Sequence, residues 1–318
     1  MAKITKDYCI ACHATIAKDI YAVRDRMFGL PGQFTEKKCT KCGLIWLHPK
    51  PSGNELKKYY PPGNYYSYGI NARPSLFWRL RSYLILHSTH PSILSRLVGI
   101  LIRVPAIPDF IQGGKIMDVG CGSGDTLVLL KQIGWDVYGL DIDSRAIGLA
   151  EKRGLANIQL GGYISLKDYP DNYFDAIRLY HVIEHLDDPV LCLQLIKKKL
   201  KKHGQLILGT PNGASVLATI GKQYWYNLDA PRHLYIFSPK TLGIILSREK
   251  FQVHTVRFCS GGGILGTLQY IWNEVLHKKI SFINNTFLVA CLFPIEYCLD
   301  RLALGDIIDV HAVNNLND

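Results

Sequence analysis

The sequence predicts an α/β chain built on a seven-stranded, doubly wound sheet, with a cysteine-rich segment before it and an apolar helical insertion ahead of its last strand. Three observations predict this. The first is the run Lys115-Ile116-Met117-Asp118-Val119-Gly120-Cys121-Gly122-Ser123-Gly124-Asp125. An apolar strand ends in an acid, alternating glycines follow, and leucine periodicity begins at Leu127, Leu129 and Leu130. That order reads as strand, tight turn and helix N-terminus. The second is the alternation of strand-like and capped helical runs through 113–318, the pattern of a largely parallel sheet. The third is a pair of Cys-x-x-Cys motifs confined to the first 42 residues.

Composition bounds the class. At 318 residues, 48% hydrophobic and 20% charged, the chain can bury a sizeable core. A net charge of +11 points to an anionic partner: nucleic acid, a membrane surface or a phosphate-bearing substrate. Of the nine cysteines, Cys121, Cys192, Cys259, Cys291 and Cys298 are scattered through apolar sequence. An odd count and a start without an apolar h-region predict a reducing, cytoplasmic setting.

Taken in order, Cys9-Ile10-Ala11-Cys12 and Cys39-Thr40-Lys41-Cys42 have the spacing of two zinc knuckles. Each pair puts two thiolates on one tetrahedral ion, so 1–54 is predicted to be a zinc ribbon. Four thiolates leave no open position, which makes the site structural. His13 and His48 are alternative ligands, and a redox Cys-x-x-Cys is the alternative chemistry. Residues 55–112 form a basic apolar linker or lid. From 56 to 108 there is no Asp or Glu, while Lys57, Lys58, Arg73, Arg79, Arg81, Arg96 and Arg103 are basic. Helices of this composition suit an anionic lipid interface, or cover the sheet with their arginines reaching water. The tyrosine-rich stretch 59–68 either packs the ribbon onto the main domain or lines a substrate mouth.

The main domain spans 113–318. Its second strand, 135–141, ends in Asp141 about twenty residues after the first glycine, where a carboxylate can bind ribose hydroxyls. Further strands are expected at 157–160, 174–179, 205–210, 251–258 and 306–313. Asp188-Pro189 and Ser238-Pro239 open helices. Lys197, Lys198, Lys199, Lys201 and Lys202 crowd the end of the first of these, where cations complement the dipole, and Gly204 is expected to stop it. The insertion, 261–305, is too short and too broken by Pro294, Glu296 and Asp300 to span a bilayer. A helical pair packed on the domain, on a second subunit or on a bilayer surface is expected there.

The cofactor follows from Asp118. A dinucleotide-binding turn normally has an apolar residue at that position and holds a pyrophosphate at the helix N-terminus. S-adenosylmethionine carries no phosphate and has a cationic sulfonium, which an acid suits. The pattern Asp-x-Gly-x-Gly-x-Gly resembles the first motif of class I S-adenosylmethionine-dependent methyltransferases, which have a Rossmann-like fold. Phe174-Asp175 followed by His181-Val182-Ile183-Glu184-His185-Leu186-Asp187-Asp188-Pro189 resembles the segment after the fourth strand in the group that includes ubiquinone-type O-methyltransferases. Pro231-Arg232-His233-Leu234 with Phe237-Ser238 resembles a segment of zinc-ribbon members of that group. The resemblance runs from Cys9 to about Val313.

These likenesses imply a methyl-donor site made by Asp118, Gly120, Cys121, Gly122, Gly124, Asp141, Ile142, Tyr163, Tyr180 and His181. One departure is Leu160-Gly161-Gly162-Tyr163, which stands where relatives often have an acid for adenine, so adenine recognition is expected from Tyr163, Ile164 or backbone groups. His233 is the expected general base, with His181 as second catalytic candidate; a buried histidine fixing the lid is the alternative for His233. Arg232 is a candidate for a phosphate or carboxylate on the substrate. His181, Glu184 and His185 can offer ligands to a divalent cation, but hydrogen bonding to neighbouring loops is preferred for them. The expected activity is methyl transfer to oxygen of a small molecule, a sugar or a lipid- or nucleotide-linked glycan precursor. The expected setting is cytoplasmic, with peripheral attachment to the inner face of the membrane open. A zinc-ribbon nucleic-acid-binding or RNA-modifying protein is the alternative, opposed by the distance in sequence between tyrosines and lysines. Asp118 opposes a nicotinamide oxidoreductase.

Overall fold

The computed structural model describes residues 8–61, 76–102, 104, 107–277, 280–283 and 285–315. Its central sheet contains β4 (Lys115–Val119), β5 (Asp136–Asp141), β6 (Ile158–Leu160), β7 (Phe174–Tyr180), β8 (Leu200–Pro211), β10 (Phe251–Phe258) and β11 (Ile307–Asn314). The order across the sheet is β10-β11-β8-β7-β4-β5-β6. β11 runs antiparallel to both its neighbours, and the pairs from β8 through β6 are parallel. The predicted seven-stranded, doubly wound class is what forms. β5 and β6 lie to one side of β4 and β7 to the other, so the winding reverses at β4, the usual place for a ligand crevice.

Helices α4 (Asp125–Gln132), α5 (Ser144–Lys152), α6 (Pro189–Lys199), α7 (Val216–Gly221) and α8 (Pro239–Arg248) follow the strands. Their starts are set locally: Asp143, Asp188, Ser215 and Ser238 each accept a backbone N–H as N-caps, and prolines open α6 and α8. One expectation fails here. Gly204 does not stop α6; the helix ends at Lys199 and β8 already begins at Leu200. Leu200 pairs with Phe174 and Gln205 with Ala176, so an irregularity absorbs 201–204 inside the strand. Two of the lysines there have protein partners. Lys199 Nζ donates to the Tyr169 carbonyl and Asp171, each at 2.7 Å, and Lys201 reaches Asp175 at 2.8 Å.

The ribbon is less separate than its predicted boundary at residue 54 implies. β1 (Ala17–Val23), β2 (Phe34–Cys39) and β3 (Ile45–His48) form an antiparallel sheet whose fourth strand is β9 (Tyr235–Ile236), from the main domain. Ile45 pairs with Ile236 and Trp46 with Tyr235. One core cluster joins Leu44, Trp46 and Leu47 to Phe237, Leu242 and Ile245. Short α1 (Gly53–Lys57) has a Ser52–Glu55 capping box, and Tyr59 donates to the Pro31 carbonyl at 2.7 Å. Tyr59 therefore fastens the linker to the ribbon, whereas Tyr65, Tyr66 and Tyr68 lie outside the described residues.

Two helices precede the main sheet, α2 (Leu76–Leu86) and α3 (Ile93–Leu101), and two form the insertion, α9 (Gly263–Leu276) and α10 (Thr286–Arg301). Among the described residues, no helix is long and apolar enough to cross a membrane.

Candidate active site and metal centre

The glycine turn is shaped by backbone geometry. Gly120 and Gly124 have φ of 77° and 76°, and a Cβ on either would come within 2.3 Å of Val182 or Leu155. Only glycine satisfies both conformation and space there. The Gly122 N–H donates to Asp141 Oδ2 at 2.8 Å, and the Asp143 N–H to Asp141 Oδ1 at 2.9 Å. Asp141 is thereby fixed at the end of β5 beside the turn, half-buried, with lone pairs remaining for hydroxyl groups. The exposed Ile142 lies near Gly162, where a Cβ would contact its Cγ2 at 3.6 Å.

The N-terminus of α4 decides between cofactors. Its first turn carries Asp125, ion-paired to Arg153, whose Nη1 also bonds the Ser123 carbonyl at 2.9 Å. A carboxylate already occupies the electropositive helix end, so a pyrophosphate would meet like charge. S-adenosylmethionine has no phosphate, and the cradle fits it: glycines that a Cβ would fill, a fixed carboxylate at the end of β5 and an exposed apolar side chain beyond it.

Two of the expected donor-site residues, Asp118 and Tyr163, already have protein partners. Asp118 is buried and accepts from Arg178 Nη1 at 2.9 and 3.1 Å. The parallel register sets Arg178 beside it across β4 and β7, so its charge is neutralised within the protein and does not stand open to a cation. Burial raises its carboxyl pKa, opposed by Arg178. Cys121 is a half-buried thiol pushed up by burial, then by Asp118 and Asp141. Tyr163 is buried and donates its hydroxyl to Asp187 at 3.1 Å.

At the C-terminal ends of the neighbouring strands lies a cavity of about 230 Å³, lined by residues including Arg81, Tyr180, His181, Asn227, His233 and Ser260. Both histidines expected to act face it. His181 follows β7 with φ 56°, in the left-handed region sparsely used by non-glycine residues and common at functional sites. Its Nδ1 lies 3.2 Å from Glu184 Oε1. Glu184 is fully buried and its other oxygen accepts from Thr210 at 3.0 Å. Burial alone would raise the Glu184 carboxyl, but His181 outweighs it, helped by His185 and His233, and holds it at about 2. A carboxylate there makes the His181 Nδ1 the donor and leaves Nε2 as the acceptor.

His233 is buried, with Nδ1 at 2.9 Å from the Asn227 carbonyl. Burial holds it down at about 4, so the ring is neutral near pH 7. His185 is likewise lowered to about 4 by burial and then by His233, and its Nδ1 lies 3.0 Å from the Arg232 carbonyl and 3.0 Å from the Tyr60 hydroxyl. The group with potential ligand atoms within 4.8 Å of one another is Glu184, His185 and His233, so His233 replaces His181 in the expected trio. Both Glu184 oxygens and both imidazole Nδ1 atoms already have protein partners, the hydrogen-bonded arrangement preferred from the sequence.

Arg232 corrects another expectation. It is fully buried, with Nε 3.0 Å from both Asp229 oxygens, Nη2 2.8 Å from Asp25 and Nη1 3.1 Å from the Tyr59 carbonyl. It ties the ribbon to the loop before β9 and has no free donor face for a substrate. The residues missed from the sequence are Arg178 and Arg81. A charge inside an apolar strand was the available signal for the first; nothing local marked the second.

At the ribbon, Cys9, Cys12, Cys39 and Cys42 converge with all four sulfurs within 4.8 Å of one another. Cys9 and Cys42 sulfurs are 3.4 Å apart and Cys12 and Cys39 sulfurs 3.6 Å, far beyond a disulfide. A tetrahedral Zn–S shell has edges of about 3.8 Å, so the set fits one structural zinc ion.

The fold and the glycine turn define a class I S-adenosylmethionine-dependent methyltransferase. A family model described as a methyltransferase domain matches residues 93–256, just over half of the chain's 318 residues. The chain belongs to that family. It is 28% identical over 158 residues to the ubiquinone biosynthesis O-methyltransferase of Xanthomonas oryzae pv. oryzae (strain PXO99A), covering 46% of this chain and 66% of that protein. With the protein of the same name from Haemophilus ducreyi it shares 31% identity over 124 residues, covering 35% and 52%. The chain thus spans between half and two thirds of the length of these relatives. A SAM-dependent methyltransferase structure from Archaeoglobus fulgidus aligns over 63% of this chain and 86% of its own at 27% identity, with a TM-score of 0.44.

Asp141→Ala is expected to weaken S-adenosylmethionine binding by roughly 10- to 100-fold, the worth of hydrogen bonds to a charged group. Titration calorimetry on wild type and variant reads this directly; equal affinities would put the ribose elsewhere.

Proposed function

We propose that this protein transfers a methyl group from S-adenosylmethionine to a hydroxyl oxygen of an anionic small molecule, with sugar and lipid- or nucleotide-linked glycan precursors inside that class. The observation that carries the reading is the cavity shared by Tyr180, His181, Arg81 and His233 at the strand ends beyond the glycine turn. The cofactor supplies an electrophilic methyl group when bound. The chain's own part is alignment and proton removal. His181, oriented by Glu184, presents Nε2 as the acceptor for the hydroxyl proton. His233, neutral and fixed by Asn227, serves as a hydrogen-bonding wall. Names of the relatives support oxygen as the acceptor atom.

Arg81 supports the anionic class. It reaches from α2 to the cavity with Nη2 3.9 Å from Cys259 Sγ, and its buried Nε has no partner among the described residues. A buried guanidinium donor without a partner is costly, and a phosphate or carboxylate on the acceptor would satisfy it. The test measures S-adenosylhomocysteine formed with phosphorylated or carboxylated hydroxy compounds against their neutral counterparts. Arg81→Met is expected to raise KM for the anionic acceptor by roughly 10- to 100-fold with little change in affinity for S-adenosylmethionine. Equal use of neutral acceptors by the wild type would remove the anionic class. Failure to bind S-adenosylmethionine would remove the methyltransferase reading altogether.

A further inference from the structure

Two helices on one side of the molecule have their polarity inverted. In α10 the buried residues are Glu296 and Asp300, 5% and 6% exposed, whereas Phe287 is 74% exposed and Ile295 and Leu302 are also exposed. The acids face inward for a reason. Glu296 accepts the N–H groups of Gly262 and Ile264 at 3.0 and 3.2 Å, and Asp300 accepts the N–H and hydroxyl of Ser260. They hold the loop that opens α9 at the cavity rim. α3 repeats the pattern: Ser95 is its only buried residue among those described, while Ile93 is 80% exposed and Leu94 and Leu97 are exposed beside it. The two helices touch at their C-terminal ends, where Tyr297 and Arg301 of α10 donate to the Ile100 carbonyl at 2.5 and 3.2 Å. Exposed apolar side chains of this number mark an interaction surface.

Charge selects the occupant. Among the described residues of α3 and α10, the outward charged groups are Arg96 and Arg301, and no outward acid accompanies them. A two-fold contact between copies sets each patch against itself, so these arginines would meet arginines with no carboxylate to answer them. A lipid surface with anionic headgroups supplies the missing charge and accepts the apolar side chains below it.

We propose that α3 and α10 together dock the protein peripherally on an anionic bilayer, with the apolar side chains of both helices inserted at the interface. The assignment is independent of the reaction, because none of these side chains lines the cavity.

The test is flotation of the full chain with phosphatidylglycerol-containing vesicles and with pure phosphatidylcholine vesicles, at low and high salt. Expected are binding to the anionic vesicles at low salt, release as salt screens the arginines, and a drop of about tenfold or more for Leu97→Ser/Phe287→Ser. Arg96→Gln should weaken binding less. Calorimetry with S-adenosylmethionine, unchanged in these surface variants, confirms that the fold survives and separates this question from the enzymatic one. Wild type that ignores anionic vesicles at low salt overturns the proposal, as does a double variant that binds as well as wild type. A wild-type dimer in sedimentation velocity that the double variant dissociates, without vesicle binding, would assign the face to a second copy instead.

Discussion

Replacing His181 with asparagine is expected to lower kcat by about 10²- to 10⁴-fold, the usual worth of a general base, while affinity for S-adenosylmethionine changes by less than about tenfold. The expectation rests on the chain Thr210–Glu184–His181. Thr210 Oγ1 donates to a fully buried carboxylate at 3.0 Å, and that carboxylate faces His181 Nδ1 at 3.2 Å. The carboxylate fixes the ring's tautomer and orientation, as the third member of a catalytic triad does for its histidine. The left-handed φ of 56° at His181 aims the side chain at the cavity. His233 is the rival. Its Nδ1 is held by a backbone carbonyl at 2.9 Å and its Nε2 lies 3.9 Å from Asp229, a neutral setting without a closely bonded carboxylate. His233→Asn is therefore expected to cost less in kcat than His181→Asn, with the acceptor that the wild type turns over. A larger loss at position 233 would transfer the role of base there.

What was legible in the sequence was local. The glycine turn, Asp141 and the N-caps of α6 and α8 act through atoms a few residues away or through strand ends that periodicity locates. The four cysteines were legible because each knuckle is itself a local turn. Pairings across strands were not. Asp118 looked like a free acid because its partner, Arg178, lies 60 residues on, and only the register of β4 against β7 brings them together. Arg232 looked like a substrate contact because two of its partners, Asp25 and Tyr59, come from the ribbon and linker. The basic helices offered no way to tell which arginine faces inward: Arg81 reaches the cavity while Arg96, on the next helix, faces out. Composition gave the acid-free stretch, but it could not show that the acids of the insertion were already turned into the protein.

Treating the four-cysteine site with a zinc chelator, or replacing Cys9 with serine, is expected to lower the melting temperature of the whole chain by roughly 10 °C or more. Structural zinc contributes folding free energy directly, and a loss of several kcal/mol shifts a domain of this size by a few degrees per kcal/mol. The effect should reach past the ribbon because the two parts share a sheet and a core. β9 is the ribbon sheet's fourth strand, and it follows the loop that holds Arg232 and His233. Arg232 in turn needs Asp25 and the Tyr59 carbonyl, both positioned by the ribbon and its linker. Loosening the ribbon would leave a buried guanidinium partly unpaired, which is strongly destabilising. It would also free His185 from Tyr60, next to the proposed base. One zinc per chain by elemental analysis, a single calorimetric transition that moves down after chelation, and a parallel fall in activity are the expected results. Carefully purified protein without zinc, melting unchanged by chelator or by Cys9→Ser, would show that the four sulfurs pack as thiols and that the coupling runs through the β3–β9 strand pair alone.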